Sequence, residues 1–217
     1  MDWQWAPQVF AAMHQGDLVI LDVRKNAYLV LAQAQGRILL SDDGVHAKLV
    51  DPSLGGELVA AGLGTPDVAT EAVRRRAAPA PTGDLDAFDD QGPMGARALI
   101  ELMIAAVVLV GTFWLRSFSR LVRPVASAAD DDPGGEQRVV RRALAFRRLL
   151  PWIPFQGLCL YRAALLRQYL GDDAGRVMWV FGISTWPFAA HCWLQCGGLV
   201  LNDRLHRVSR YSPIMAI

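Results

Sequence analysis

From Gly157 onward the chain follows an order that few folds accept. A helix-like run, Cys159–Leu170, is followed by a strand-like run, His191–Cys196, a Gly197-Gly198 turn signal, and a second strand-like run, Leu199–Asp203. Two short apolar runs joined by two glycines read as an antiparallel hairpin. A preceding helix with apolar residues on several faces must bury itself against that sheet. The C-terminal part is therefore expected to be α+β, with a helix start directed at a strand.

The residue types at these places carry chemistry. Cys159 opens the helix, His191 starts one strand and Asp203 ends the next. A thiol in a first helical turn feels the positive end of the helix and its unpaired N–H groups, which favour the thiolate. An imidazole can move the proton of such a nucleophile, and a carboxylate can orient the imidazole. Arg162, one turn on, could assist the thiolate. Against this stands the packing alternative, in which Cys159 is a small hydrophobe and His191 a satisfied core residue.

Strand parity restricts the hairpin. A two-residue loop pairs Cys196 with Leu199, sets His191 opposite Arg204 and turns Asp203 to the other face. A three-residue loop, Cys196-Gly197-Gly198, pairs Gln195 with Leu199 and sets His191 opposite Asp203. The expected hairpin is the second, with Gly198 in the left-handed region. Cys192 and Cys196 lie about 13 Å apart along one strand, too far for one tetrahedral zinc or a disulfide. They are expected to be packing residues. His14, His46 and His206 have no evident partner in the sequence.

The rest of the chain divides by composition. Val9–Met13, Leu18–Asp22 and Ala27–Leu31 read as strands, the last two as a hairpin about Arg24–Asn26. Asp51 and Pro52 suit the start of a helix and Gly62 its end. Ala77–Asp90 is rich in Pro, Ala and Asp and has no apolar period, so it reads as a linker. Met94–Val122 reads as a long helix. Its uncharged stretch, Leu102–Leu115, is shorter than the roughly 18–20 residues of a membrane span and is expected to be a buried core helix. Arg116, Arg120 and Arg123 at its end leave surface association with a membrane as the lesser reading. A second break, Pro124–Gly135, precedes a basic helix, Glu136–Leu150.

The expected boundaries are 1–63 for a small α+β domain, 64–93 for a linker and 94–217 for the domain with the cysteine. Residues 1–92 carry 7 Lys/Arg and 13 Asp/Glu, and residues 93–217 carry 15 and 8, so the two parts differ in sign. The arginines of the basic helix are not accompanied by a nucleic-acid-binding motif. No Gly-rich phosphate loop is present, and no metal site is expected. Three cysteines without a disulfide-like spacing, and an acidic start without an apolar run, fit a reducing cytoplasm.

The motifs Cys159-Leu-Tyr-Arg162, His191-Cys-Trp193 and Asn202-Asp203, in this order, resemble those of the B protein of lasso-peptide biosynthesis. That family is a bacterial leader peptidase with a transglutaminase-like fold. Cys192 is a departure, because Ala is usual there. The resemblance implies a papain-like cysteine peptidase with Cys159 as nucleophile, His191 as base and Asp203 as orienting group. It also implies a small winged-helix-like leader-recognition domain at residues 1–63, similar to the chaperone of pyrroloquinoline-quinone biosynthesis. Recognition there is by β-strand addition, which points to Tyr28, Val30, Leu54 and Leu58. The implied partners are the leader region of a precursor peptide and an asparagine-synthetase-like cyclase. An ATP requirement also follows from the resemblance, although no nucleotide motif accompanies it. The rival readings are a transglutaminase-like acyltransferase and a non-catalytic scaffold that delivers precursor to the cyclase.

Overall fold

The computed structural model describes residues 1–67, 75, 77–88, 95–115, 118–122, 132, 134–153 and 158–217. Arg116, Arg123, Gly157 and most of the Pro124–Gly135 break lie outside the described residues. The chain divides into two compact units. The first is Met1–Ala78 with Phe181–Ala190 and Ser212–Ala216; the second is Pro79–Val180 with His191–Tyr211 and Ile217.

The first unit begins with β1 (Asp2–Trp5), β2 (Val9–His14), β3 (Asp17–Asp22), β4 (Ala27–Leu31), β5 (Ile38–Leu40) and β6 (His46–Leu49), then α1 (Ser53–Ala60) and β7 (Gly64–Thr65). These strands form two sheets, ordered β5-β6-β1-β7 and β2-β3-β4. The expected hairpin is present as β3 and β4, with Asp22 opposite Ala27. Asp22 closes its turn by accepting from the backbone N–H of Arg24 at 3.0 Å. Helix α1 follows Pro52, and Asp51 accepts from the Ser53 N–H at 3.0 Å. Gly62, at φ +71°, carries the chain out of the helix.

A winged-helix-like arrangement is not confirmed for the first unit. Among the described residues its Met1–Ala78 part has one helix and two sheets, and β1, β5, β6 and β7 were not foreseen. Its core collects Trp3, Trp5, Leu18, Ile20, Leu49, Leu54 and Leu58. Leu54 and Leu58 are only 4% and 3% exposed. They form the apolar stripe of α1, four residues apart, and that stripe faces the core, so neither lines a groove. Strand β4 is the free edge of its sheet, with Leu29 46% and Val30 37% exposed.

The second unit contains β8 (Gly83–Asp84), α2 (Ala96–Leu115), α3 (Phe118–Leu121), α4 (Gly135–Leu149) and α5 (Cys159–Leu170). It also holds the start of β9 (Met178–Ser184), most of β10 (Ala189–Cys196), β11 (Leu199–Val200) and α6 (Leu205–Val208), while the rest of β9 and β10 and all of β12 (Ser212–Ala216) belong to the first unit. The last four strands and β8 form one sheet, ordered β12-β9-β10-β11-β8. Within the stretch expected to be a linker, Gly83–Asp84 is thus the edge strand of this sheet, parallel to Leu199–Val200.

Helix α5 packs against α2 and α4, with Ala163, Leu165 and Leu166 fully buried. Among its described side chains, helix α2 buries one face, through Leu102, Ala105, Ala106 and Leu109. The opposite face is apolar and exposed: Ile100, Met103, Ile104, Val107 and Val108. The expected wholly buried core helix is therefore half right. Among the described residues no helix is long and apolar enough to cross a membrane. Arg138, Arg142 and Arg147 of α4 pair with carboxylates of their own unit. Arg138 pairs with Asp173 at 2.6 Å and Arg142 with Glu101 at 3.3 Å.

Candidate active site

Helix α5 starts at Cys159 because Leu158 is extended and its carbonyl accepts the N–H of Arg162 at 3.1 Å, closing the first turn. The helix ends at Gly171, whose φ of +59° suits glycine. Cys159 therefore lies in the first turn, where backbone N–H groups have no intrahelical acceptor. Its thiol is hydrogen-bonded to His191 and to Cys192.

His191 is 6% exposed near the start of β10. Its Nε2 lies 2.6 Å from Asp203 Oδ2. That contact leaves Nδ1 as the ring nitrogen for the thiol. The imidazole is flanked by Trp193, 6.1 Å away and nearly parallel at 28°, and by Tyr211 at 5.1 Å. Trp193 Nε1 donates to Gln195 Oε1 at 2.8 Å, and Gln195 Nε2 donates to the carbonyls of Pro79 and Gly197. Gln195 is fully buried, so this satisfied network fixes the wall behind the imidazole.

The structure brings His191 and Asp203 together by a route that differs from the expected one. Cys196 pairs with Leu199 and Gln195 with Val200, the register of a two-residue turn. Gly197, at φ +54°, supplies the left-handed residue in place of Gly198. Gly198 serves another need. Thr82 and Gly83 donate their N–H groups to its carbonyl at 2.8 and 3.3 Å, and a Cβ on Gly198 would meet Thr82 Oγ1 at 2.5 Å.

Parity in this register would turn Asp203 away, but the ladder stops first. Strand β11 ends at Val200, and the last main-chain bond runs from Leu201 N–H to the Leu194 carbonyl at 2.9 Å. Leu194 N–H then donates to the side chain of Asn202 at 2.8 Å. With a side chain standing where the next backbone carbonyl would be, the chain bends out of the strand and parity no longer governs Asp203. The bend is held from the far side as well. Asp203 Oδ1 accepts from Arg204 N–H at 2.8 Å, and Asp84 Oδ2 accepts from Leu205 N–H at 2.7 Å.

These contacts set the charges. The Cys192 thiol donates to the Cys159 sulfur, and although burial opposes a thiolate, the further bonds from His191 and the Cys192 N–H bring Cys159 down to about 4. Burial disfavours an imidazolium, but the hydrogen bonds to Asp203 and Cys159 outweigh it and raise His191 to about 9. Burial would raise Asp203, yet its bonds to His191 and the Arg204 N–H hold it below the usual carboxylate range. The bond to Cys159 pushes the Cys192 thiol upward, so it remains a protonated donor. A thiolate–imidazolium pair results, the resting form of a nucleophile that can attack a carbonyl.

A sequence model of the transglutaminase-like superfamily matches residues 102–216. The chain belongs to the transglutaminase-like superfamily. The matched part of this transglutaminase-like chain includes Cys159, His191 and Asp203. No curated protein and no solved structure matches the chain. The superfamily includes cysteine peptidases and acyltransferases, and the site is compatible with both.

The roles of several site residues of this transglutaminase-like chain were not legible beforehand, although Asn202 and Arg162 stand in its motifs. Cys192 was expected to pack and instead touches the nucleophile. Asn202 and Asp84 hold the bend, and no periodicity marks either. Arg162 lies in a pocket beside Asp203. The four residues expected to bind a leader do not share a surface: Tyr28 and Val30 lie on β4, while Leu54 and Leu58 are in the core. Tyr28 packs its ring against Phe188, 5.4 Å away in the same unit. His14 and His46 do have partners, Ser212 at 3.0 Å and Asp43 at 2.5 Å.

Proposed function

We propose that this protein is the leader peptidase of a lasso-peptide pathway, acting by cysteine nucleophilic catalysis. The observation that carries the peptidase reading is the 2.6 Å bond from His191 to Asp203, with the Cys159 thiol bonded to the same imidazole. In this reading the Cys159 thiolate attacks the carbonyl of the leader–core bond. Backbone N–H groups at the start of α5 receive the developing oxyanion. The imidazolium gives its proton to the leaving core amine, and the leader remains as a thioester on Cys159. His191, now neutral, takes a proton from water as that water attacks the thioester, and leader acid is released. Asp203 keeps the imidazole oriented throughout.

The lasso assignment rests on the three motifs and on an edge strand suited to peptide capture. Strand β4 is an edge strand among the described residues, with exposed Leu29 and Val30, where an extended leader could add as a further strand. Tyr28 and Val30 are the residues retained for that role. An asparagine-synthetase-like cyclase would take the freed core, and a reducing cytoplasm would keep the three cysteines as free thiols.

The test is incubation of the full chain with a precursor peptide, read by mass spectrometry. Free leader and free core, abolished by Cys159→Ala, support the peptidase. A leader joined to an added amine would show the acyltransferase. Precursor binding without any covalent change, and no selective labelling of Cys159, would leave a scaffold.

A further inference from the structure

Beside Asp203 the second unit has a pocket of about 430 Å³. Its floor is apolar, formed by Leu85, Phe146, Leu150 and Leu201. Its polar lining includes Arg147, Arg162, Arg204 and Arg207 against Asp86 and Asp203. Most of that charge is already committed. Asp86 holds Arg147 at 2.9 Å and Arg204 at 3.6 Å. Asp203 is bonded to His191 and has Arg207 at 3.8 Å.

Arg162 is different. It makes no ion pair among the described residues, and its Nε is buried without an acceptor. A buried donor without a partner costs about 1–3 kcal/mol, and a guanidinium is built to bind an oxyanion with two parallel bonds. Arg162 lines the pocket, and of its four arginines it is the one that no carboxylate among the described residues holds. Two carboxylates against four arginines leave the pocket cationic, and the apolar floor suits the body of a ligand whose anionic head meets the arginines.

We propose that this pocket is an oxyanion-binding site, centred on Arg162, for a carboxylate or phosphate group. Arg162 follows Cys159 by one turn of α5, and the pocket is lined by Asp203. An acidic side chain of the peptide substrate is one source of the anion, and only that source rests on the peptidase reading; a free phosphate compound is the other. A guanidinium held by no carboxylate among the described residues, set above an apolar lining, is what makes the site more than a basic surface.

The experiment is calorimetry on the full chain without turnover, so its outcome does not depend on whether the protein cleaves anything. The probes are inorganic phosphate and a blocked peptide carrying one Glu, compared with the same peptide carrying Gln. Binding of phosphate, or of the Glu peptide at least tenfold more tightly than the Gln peptide, is expected and identifies the source. Arg162→Gln should weaken that binding tenfold or more. Arg162→Lys, which keeps charge and stem but loses the fork, should weaken it less. Both variants are checked for an unchanged melting temperature, and Arg147→Gln serves as a second probe of the pocket if either fails to fold. Binding of neither anion, equal binding of the Glu and Gln peptides without phosphate binding, or binding untouched by these substitutions overturns the proposal.

Discussion

Replacing Cys192 with alanine removes the thiol that donates to the Cys159 sulfur, while the backbone N–H of residue 192 and the imidazole remain. A hydrogen bond to a charged group contributes about 1.5–3 kcal/mol, and a pKa unit corresponds to about 1.4 kcal/mol. Cys159 stands at about 4 in the native protein. The variant should therefore raise it by about 1–2 units. The thiolate would still dominate at pH 7, and a more basic thiolate is intrinsically more reactive, with a Brønsted slope of about 0.4–0.5. Alkylation of Cys159 at pH 7 should consequently become faster, by about threefold to tenfold, even though a stabilising contact has been lost. The assay is the rate of iodoacetamide labelling at Cys159 across pH 3–8, read by peptide mass spectrometry, with buried Cys196 as internal reference. An acid limb that stays in place, or a slower reaction at pH 7, would refute the assignment of Cys192 as the principal donor.

Other expectations follow from the same site. Cleavage measured as kcat/KM should be bell-shaped, rising through about 4 and falling through about 9, since the pair needs a deprotonated thiol and a protonated imidazole. Stability should follow the same linkage. A depressed thiol contributes stability that is lost as pH falls through about 4. A raised imidazole contributes stability that is present in full below 6.5 and lost as pH rises through about 9. Thermal melts of the wild type against a Cys159→Ala, His191→Ala variant should thus diverge from pH 4 to 6.5 and run parallel from 6.5 to 9, because there the two contributions cancel. Asn202→Ala should leave the buried Leu194 N–H unpaired, cost about 1–3 kcal/mol by denaturant melting, and lower kcat more than it raises KM. Leu29→Glu with Val30→Glu on β4 should weaken precursor binding at least tenfold by calorimetry, with Cys159 labelling unchanged.

The parts of the fold that could be read in advance are those whose local signals agree. Strands β3 and β4 are apolar runs of strand length about a turn that holds Arg24, Lys25 and Asn26, and α1 has an acidic residue and a proline before it and a glycine after it. Strands β5 and β6 lack such signals. Ile38–Leu40 is three residues long, and His46–Leu49 mixes a histidine and a lysine with two apolar residues. They form because β1 supplies a partner far away in sequence, Asp2 opposite Lys48. The exposed face of α2 was hidden for a related reason: an apolar run shows that a helix prefers to be buried, not how many of its faces find a neighbour.

At the site, residue types were informative and register was not. Cys159, His191 and Asp203 stand out because a helix start, a strand and a strand end present a thiol, an imidazole and a carboxylate in one order. Parity then demanded an odd loop for His191 to meet Asp203, and the protein meets the demand differently. It keeps the tighter turn, whose Gly197-Gly198 pair lets Thr82 and Gly83 approach, and leaves the ladder one residue beyond Val200. Asn202 makes this possible, because an amide oxygen can replace a carbonyl in the ladder while its backbone turns away. Asp84 completes it from a segment whose composition reads as a linker. An alternation rule holds only while consecutive backbone groups remain paired; here the functional carboxylate sits just past the point where pairing passes from main chain to side chain.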